Sequence, residues 1–139
     1  MLDTSYGARM VVCADDDQRD LYQDLSIHPR LSVRFAPRTD IVGSLNAAVE
    51  ALPDYDAYGL VVDDAQFKSP GWDQWVADTI RAMPNRLGVV SAAHNSGEFV
   101  NFPYVSRQWI EVVGWYACPS TLHFCWDTVL EMLGEATRI

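Results

Sequence analysis

Lysine is almost missing from this chain. Lys68 is the only one, and ten basic residues in all stand against 19 acidic ones, for a net charge of −9. Non-specific nucleic-acid binding needs a basic field to neutralise phosphates, so the composition argues against that class, while leaving room for a local site in the run Arg30, Arg34, Arg38. The three cysteines, Cys13, Cys118 and Cys125, are odd in number and lack paired spacing. That speaks against a disulfide framework and fits a reducing cytosol. No apolar stretch approaches the ~20 residues of a membrane helix, and no signal-peptide pattern is present. The expectation is a soluble, cytoplasmic protein. A G-x-G-x-x-G fingerprint, a P-loop and a serine nucleophile elbow are all absent, which counts against P-loop chemistry and nucleophilic hydrolysis.

What is present is an ordinary globular composition, 49% hydrophobic and 21% charged over 139 residues, enough for one domain spanning 1–139. Strand and helix patterns alternate. Met10–Ala14 reads as a buried strand ending in Asp15-Asp16-Asp17, and Gln18–Leu25 as a short helix. Leu31–Ala36 reads as a second strand, closed by Pro37. Asp40 caps a helix to about Leu52 with Leu45, Val49 and Leu52 on one stripe. Tyr58–Val62 is a third strand, and Trp72, Val76, Ile80 and Met83 mark the next helix. Leu87–Ala92 is a fourth strand, and His94–Asn101 a loop. Ser106 caps a helix that Gly114 stops, and Trp126, Val129, Leu130 and Leu133 mark a closing helix. Such alternation predicts an α/β, Rossmann-like domain, with a mostly parallel sheet and helices on both faces. Ligands of such sheets bind off the carboxyl ends of the strands.

Acids collect at those ends. In "LVVDDAQFKSPGW" an apolar run stops in Asp63 and Asp64, whose like charges repel unless a cation or hydrogen-bond donors compensate. Paired carboxylates suit a hard divalent cation that completes its shell with phosphate oxygens; the plain alternative is a pair of solvated caps. Asp15, Asp16 and Asp17 suit hydrogen bonds from a base or ribose, or a metal, with helix capping as the plain alternative. His123 and Asp127, four apart in "LHFCWD", pair a metal-binding imidazole with a carboxylate one turn away; the plain alternative is a packed histidine with a helix-capping aspartate. Cys118, His123 and Cys125 are too few and wrongly spaced for zinc. His28 and His94 carry no signal. Five tryptophans and six tyrosines serve mainly as core, with some available to stack on a flat or sugar-like ligand.

In order along nearly the whole chain, these segments resemble the GT-A class of nucleotide-sugar glycosyltransferases, near glycosyltransferase family 2 and its small phage and bacterial relatives. "VVCADDD" is similar to the segment holding base and ribose, and "PRTDIVGSLNAAVE" to the one beside ribose and diphosphate. "LVVDDAQFKSPGWD" resembles the metal-binding acidic motif, here Asp-Asp-Ala without the last carboxylate of Asp-x-Asp. "FPYVSRQWIEVVGWY" is similar to the acceptor-side helix, and "LHFCWD" to the late His and Asp near metal and acceptor. The resemblance implies transfer of a sugar from a nucleoside-diphosphate donor, a UDP-sugar first of all. It implies Mn²⁺ or Mg²⁺ on Asp64 and His123 with Asp63 beside the donor. Asp15, Asp17, Arg38 and Asn46 would contact the donor, Asp127 would be the catalytic base, and Trp72 and Trp109 would contact the sugar or acceptor. The family begins with a strand and helix that have no counterpart in the nine residues Met1 to Arg9. A shortened form, an inactive binding or structural remnant, or a homo-oligomer joined through the exposed sheet edge would follow. A second resemblance, to response-regulator receiver domains, rests on "VVCADDDQRDLY", "YGLVVDDAQFKSPGW" and "VVSA". It implies phosphorylation at Asp63 or Asp64, but supplies no lysine after Lys68.

Overall fold

The computed structural model describes residues 7–22, 24–25, 28–52, 55–61, 67, 69–91, 102–121 and 125–137. Strand β1 (Met10–Asp15) is followed by a 3₁₀ turn (Asp16–Gln18), the short helix α1 (Arg19–Tyr22), β2 (Leu31–Ala36) and α2 (Ile41–Glu50). Next come β3 (Ala57–Gly59), α3 (Trp72–Ala82), a 3₁₀ turn (Pro84–Arg86) and β4 (Val89–Ser91). The chain finishes with β5 (Pro103–Ser106), α4 (Arg107–Val113) and α5 (Trp126–Thr137). The protein is mixed α/β.

The sheet arrangement departs from the mostly parallel expectation. β1 and β2 pair in parallel, Met10 opposite Leu31 through Asp15 opposite Ala36. The other three strands are ordered β3-β5-β4, with β5 antiparallel to both neighbours. Within the described residues, therefore, one pair is parallel and two are antiparallel. The strand that changes the topology is β5, which lies within the segment that resembles an acceptor-side helix. Only the middle of that segment, Arg107–Val113, is helical. Pro103 is tolerated in this central strand because it stands at the first position, where a missing N–H costs least.

The three-stranded sheet is covered on both faces, and the alternation of side chains sorts them. Tyr58, Val89 and Val105 turn to a core shared with Val42 of α2, Trp109 of α4 and Leu130 of α5. Their sequence neighbours Ala57, Val90 and Tyr104 turn to the other side, against Val76 and Ile80 of α3. Val105 and Leu130 are wholly buried. Gly59 is required by this packing: a Cβ there would lie 2.3 Å from the Tyr104 ring. Ser106, also wholly buried, is fully used. Its hydroxyl oxygen accepts from the Trp109 N–H as the cap of α4 and from the Gly88 N–H, each at 3.1 Å. Gly114 ends α4 in the left-handed region at φ 86°, where glycine is favoured.

Two buried phenols give the core a pH dependence. Burial pushes the Tyr104 hydroxyl from its ordinary 10.0 up to about 12. Burial also raises Tyr116, whose hydroxyl donates to the Pro103 carbonyl at 3.0 Å. Above pH ~10 the unfolded chain loses these protons while the folded chain keeps them. Stability is thus full below that pH and falls as pH rises through about 12. Urea denaturation at about pH 9 and about pH 11 should give a lower midpoint at the higher pH, with part of the drop removed in Tyr104→Phe. Equal midpoints in the wild type would contradict the burial argument.

Candidate functional site

The site forms where β1 and β2 end. Asp15 is the last residue of β1, and Arg38 sits two residues beyond β2, in the loop leading to α2. Because the two strands run parallel, their carboxyl ends lie side by side, which brings residues 23 positions apart into contact. Arg38 Nε donates to Asp15 Oδ2 at 2.9 Å, and Nη2 donates to Asp17 Oδ2 at 3.4 Å. Asp16 is served separately by Arg19 at 3.1 Å. The three consecutive acids are thus compensated by two arginines of the same chain. The Arg38 side chain is 69% exposed, so both of its pairs are screened by water. Exposed pairs are worth at most about 1 kcal/mol.

Beneath this cluster lies a cleft of about 50 Å³ lined by Cys13, Ala14, Asp15, Arg34, Pro37 and Ser44, among others. It has room for a water or two, far short of the roughly 300–1,000 Å³ of an enclosed small-molecule pocket. A ligand of nucleotide size does not fit inside this cleft. The N-terminus of α2 closes one side, capped by the Asp40 carboxylate, which accepts from the Gly43 N–H at 2.7 Å. Arg34, which the parallel register sets beside Cys13, donates through Nη1 to the Ala47 carbonyl. Burial raises the Cys13 thiol pKa, and the Arg34 charge only partly offsets this. Sequence reasoning missed Arg34 and Cys13 as a cleft lining, because only the strand register places them together.

Asn46, which the resemblance implies as a donor contact, is engaged by backbone groups. Its Oδ1 accepts from the backbone N–H of Tyr116 at 2.9 Å and of Ala117 at 3.0 Å, and its Nδ2 donates to the Ala117 carbonyl at 2.8 Å. Three of its four hydrogen-bonding positions are committed to the backbone, so the residue pins α2 to the segment after α4. Trp109 lies in the core, 3% exposed, with no face open to a ligand. Trp72 is half-buried, stacked on Phe67 at 4.1 Å and tilted against Tyr104 at 5.8 Å. The indole N–H groups of both tryptophans are buried without a partner among the described residues. Asp127 sits in the first turn of α5, its Oδ1 accepting from the Thr128 N–H at 2.8 Å.

Asp63, Asp64 and His123 lie outside the described residues, and the described residues contain no group of three or more potential metal-binding side chains. No described helix is long and apolar enough to cross a membrane. Compared with models of known families, with curated proteins and with solved structures, the chain gives no significant match.

The role of Asn46 is testable. Asn46→Ala leaves two backbone N–H groups without their acceptor and should lower unfolding free energy by about 2–4 kcal/mol. Asn46→Asp, which keeps the acceptor, should lose less. Chemical denaturation showing no loss in the alanine variant would remove the bracket role.

Proposed function

We propose that the chain binds a nucleoside-diphosphate sugar, a UDP-sugar first of all, at the carboxyl ends of β1 and β2, and transfers the sugar to an acceptor hydroxyl. The observation that carries this reading is the Arg38 fork between Asp15 and Asp17. Ionised carboxylates only accept hydrogen bonds, and the donor molecule offers them a base N–H and ribose hydroxyls. Arg38 spends two of its five N–H donors on the aspartates. Its remaining donors match the paired oxygens of a diphosphate, which a planar guanidinium binds as a fork. Because the site is open, its present ion pairs are weak enough to be traded for the ligand.

Asp127 is the base for an inverting transfer, taking the proton from the acceptor hydroxyl as it attacks. Its Oδ1 is held by its own helix, and Oδ2 has no hydrogen bond among the described residues. Trp72, half-buried where Trp109 is fully buried, is the tryptophan assigned to the sugar or acceptor. A Mn²⁺ or Mg²⁺ ion on Asp64 and His123, with Asp63 beside the donor, would supply Lewis-acid neutralisation of the leaving diphosphate.

Calorimetric titration with UDP and UDP-glucose, with and without Mn²⁺, tests this reading. Binding should require the metal and should be lost in Asp64→Ala with the fold intact. Binding indifferent to both would remove the metal role. Absence of binding by UDP, GDP and TDP compounds would overturn the donor-site reading. Uptake of phosphoryl from acetyl phosphate at Asp63 or Asp64 would then favour a receiver domain. Binding without transfer or hydrolysis of the sugar would identify an inactive remnant.

A further inference from the structure

The β1–β2 unit is thin for a parallel sheet. Parallel sheets are ordinarily covered on both faces and built from several strands, and two strands alone are marginal in water. Here Met10, Val11 and Val12 are only half-buried, as are Leu31, Val33 and Phe35, and none belongs to either hydrophobic core cluster. Among the described residues β1 has one strand neighbour, β2. The Met10 N–H donates to the Arg30 carbonyl beside β2 at 2.8 Å. Successive residues of a strand point their backbone groups to opposite edges, so Met10, Val12 and Ala14 serve β2. Val11, Cys13 and Asp15 then present theirs to the outer edge. The strand itself carries none of the protections that sequence can supply: "MVVCAD" has no proline, no lysine and no charge before its last residue.

We infer that this outer edge of β1 pairs with β1 of a second copy, antiparallel about a twofold axis at Val12. The charge pattern selects the partner and the direction. β1 is flanked by exposed Arg9 at its start and by Asp15, Asp16 and Asp17 at its end. Antiparallel pairing in this register sets Arg9 opposite the partner's Asp15 and Val11 opposite the partner's Cys13. A parallel arrangement would set like charges side by side, which destabilises a sheet. The chain's overall acidity opposes association, so this local match is the term that favours it. Pairing also turns a two-stranded unit into a four-stranded one, and it adds the partner's Arg9 to the cluster of Asp15, Asp17 and Arg38. The inference stands on the strand edge and its flanking charges, and does not depend on the donor-site reading.

Sedimentation of the full chain tests it, together with amide hydrogen exchange over a range of concentrations. A dimer is expected, with the Val11 and Cys13 amides increasingly protected as concentration rises. Val11→Pro removes an outward N–H and leaves the β1–β2 ladder intact, so it should be monomeric with an unchanged circular-dichroism spectrum. Arg9→Glu leaves the strand backbone alone and should weaken the dimer about tenfold; it keeps the test informative if the proline variant does not fold. A wild-type monomer would overturn the proposal, whether its outer amides exchange freely or are protected by another part of the same chain. So would a dimer indifferent to both substitutions.

Discussion

Three hydrogen bonds made by one side chain, Asn46, tie α2, the helix that follows the strand-end loop, to the segment after α4. The amide joins α2 to the backbone of Tyr116 and Ala117, about 70 positions away. Val42, one turn earlier on the same helix, packs in the core with Val105, Trp109 and Leu130. Helix α2 also contacts β1, and its first residues follow the loop that carries Arg38. The thin parallel pair and the well-covered antiparallel sheet are therefore connected through α2. Asn46 is itself half-buried, but the Tyr116 and Ala117 N–H groups it serves belong to buried residues, and such groups are costly to leave without their partner. This gives the loop its address relative to the core.

The acids at the end of β1 illustrate how a chain of net charge −9 keeps carboxylates together. Consecutive aspartates invite a cation, and the protein provides guanidinium groups: Arg19 for Asp16, Arg38 for Asp15 and Asp17. These pairs are exposed, so they add little to stability. Their value is in arrangement. Acceptors and donors of hydrogen bonds stand side by side at an open strand end, a pairing suited to a ligand that carries both a donor-bearing base and an anionic diphosphate.

Much of the local structure was legible because its signals are local. Strand Leu31–Ala36 has the expected bounds, Asp40 and Ser106 cap their helices, and Gly114 stops α4, each through chemistry within a few residues. Strand β5 was not legible. Four residues beginning in proline carry no alternation long enough to read, and their place between β3 and β4 is set by pairings from distant segments. The sheet's parallel character was over-read for that reason. Arg38 and Asp15 form an ion pair with each other, a contact that their spacing in sequence did not suggest. Asn46 and Trp109 occupy structural positions for a shared reason: a polar or aromatic residue inside a helix looks the same in sequence whether it faces core or ligand, and long-range packing decides.

The central claim is that Arg38 exchanges its aspartate partners for the phosphates of a nucleotide. The most direct test is nuclear magnetic resonance of the arginine Nε–Hε groups during titration with UDP in the presence of Mg²⁺, with Arg38→Lys used to assign the signal. The account predicts that the Arg38 signal shifts and saturates with ligand, while that of Arg81, paired with Asp56 and Asp78 away from the site, stays in place. An Arg38 signal unmoved at saturating UDP would contradict it.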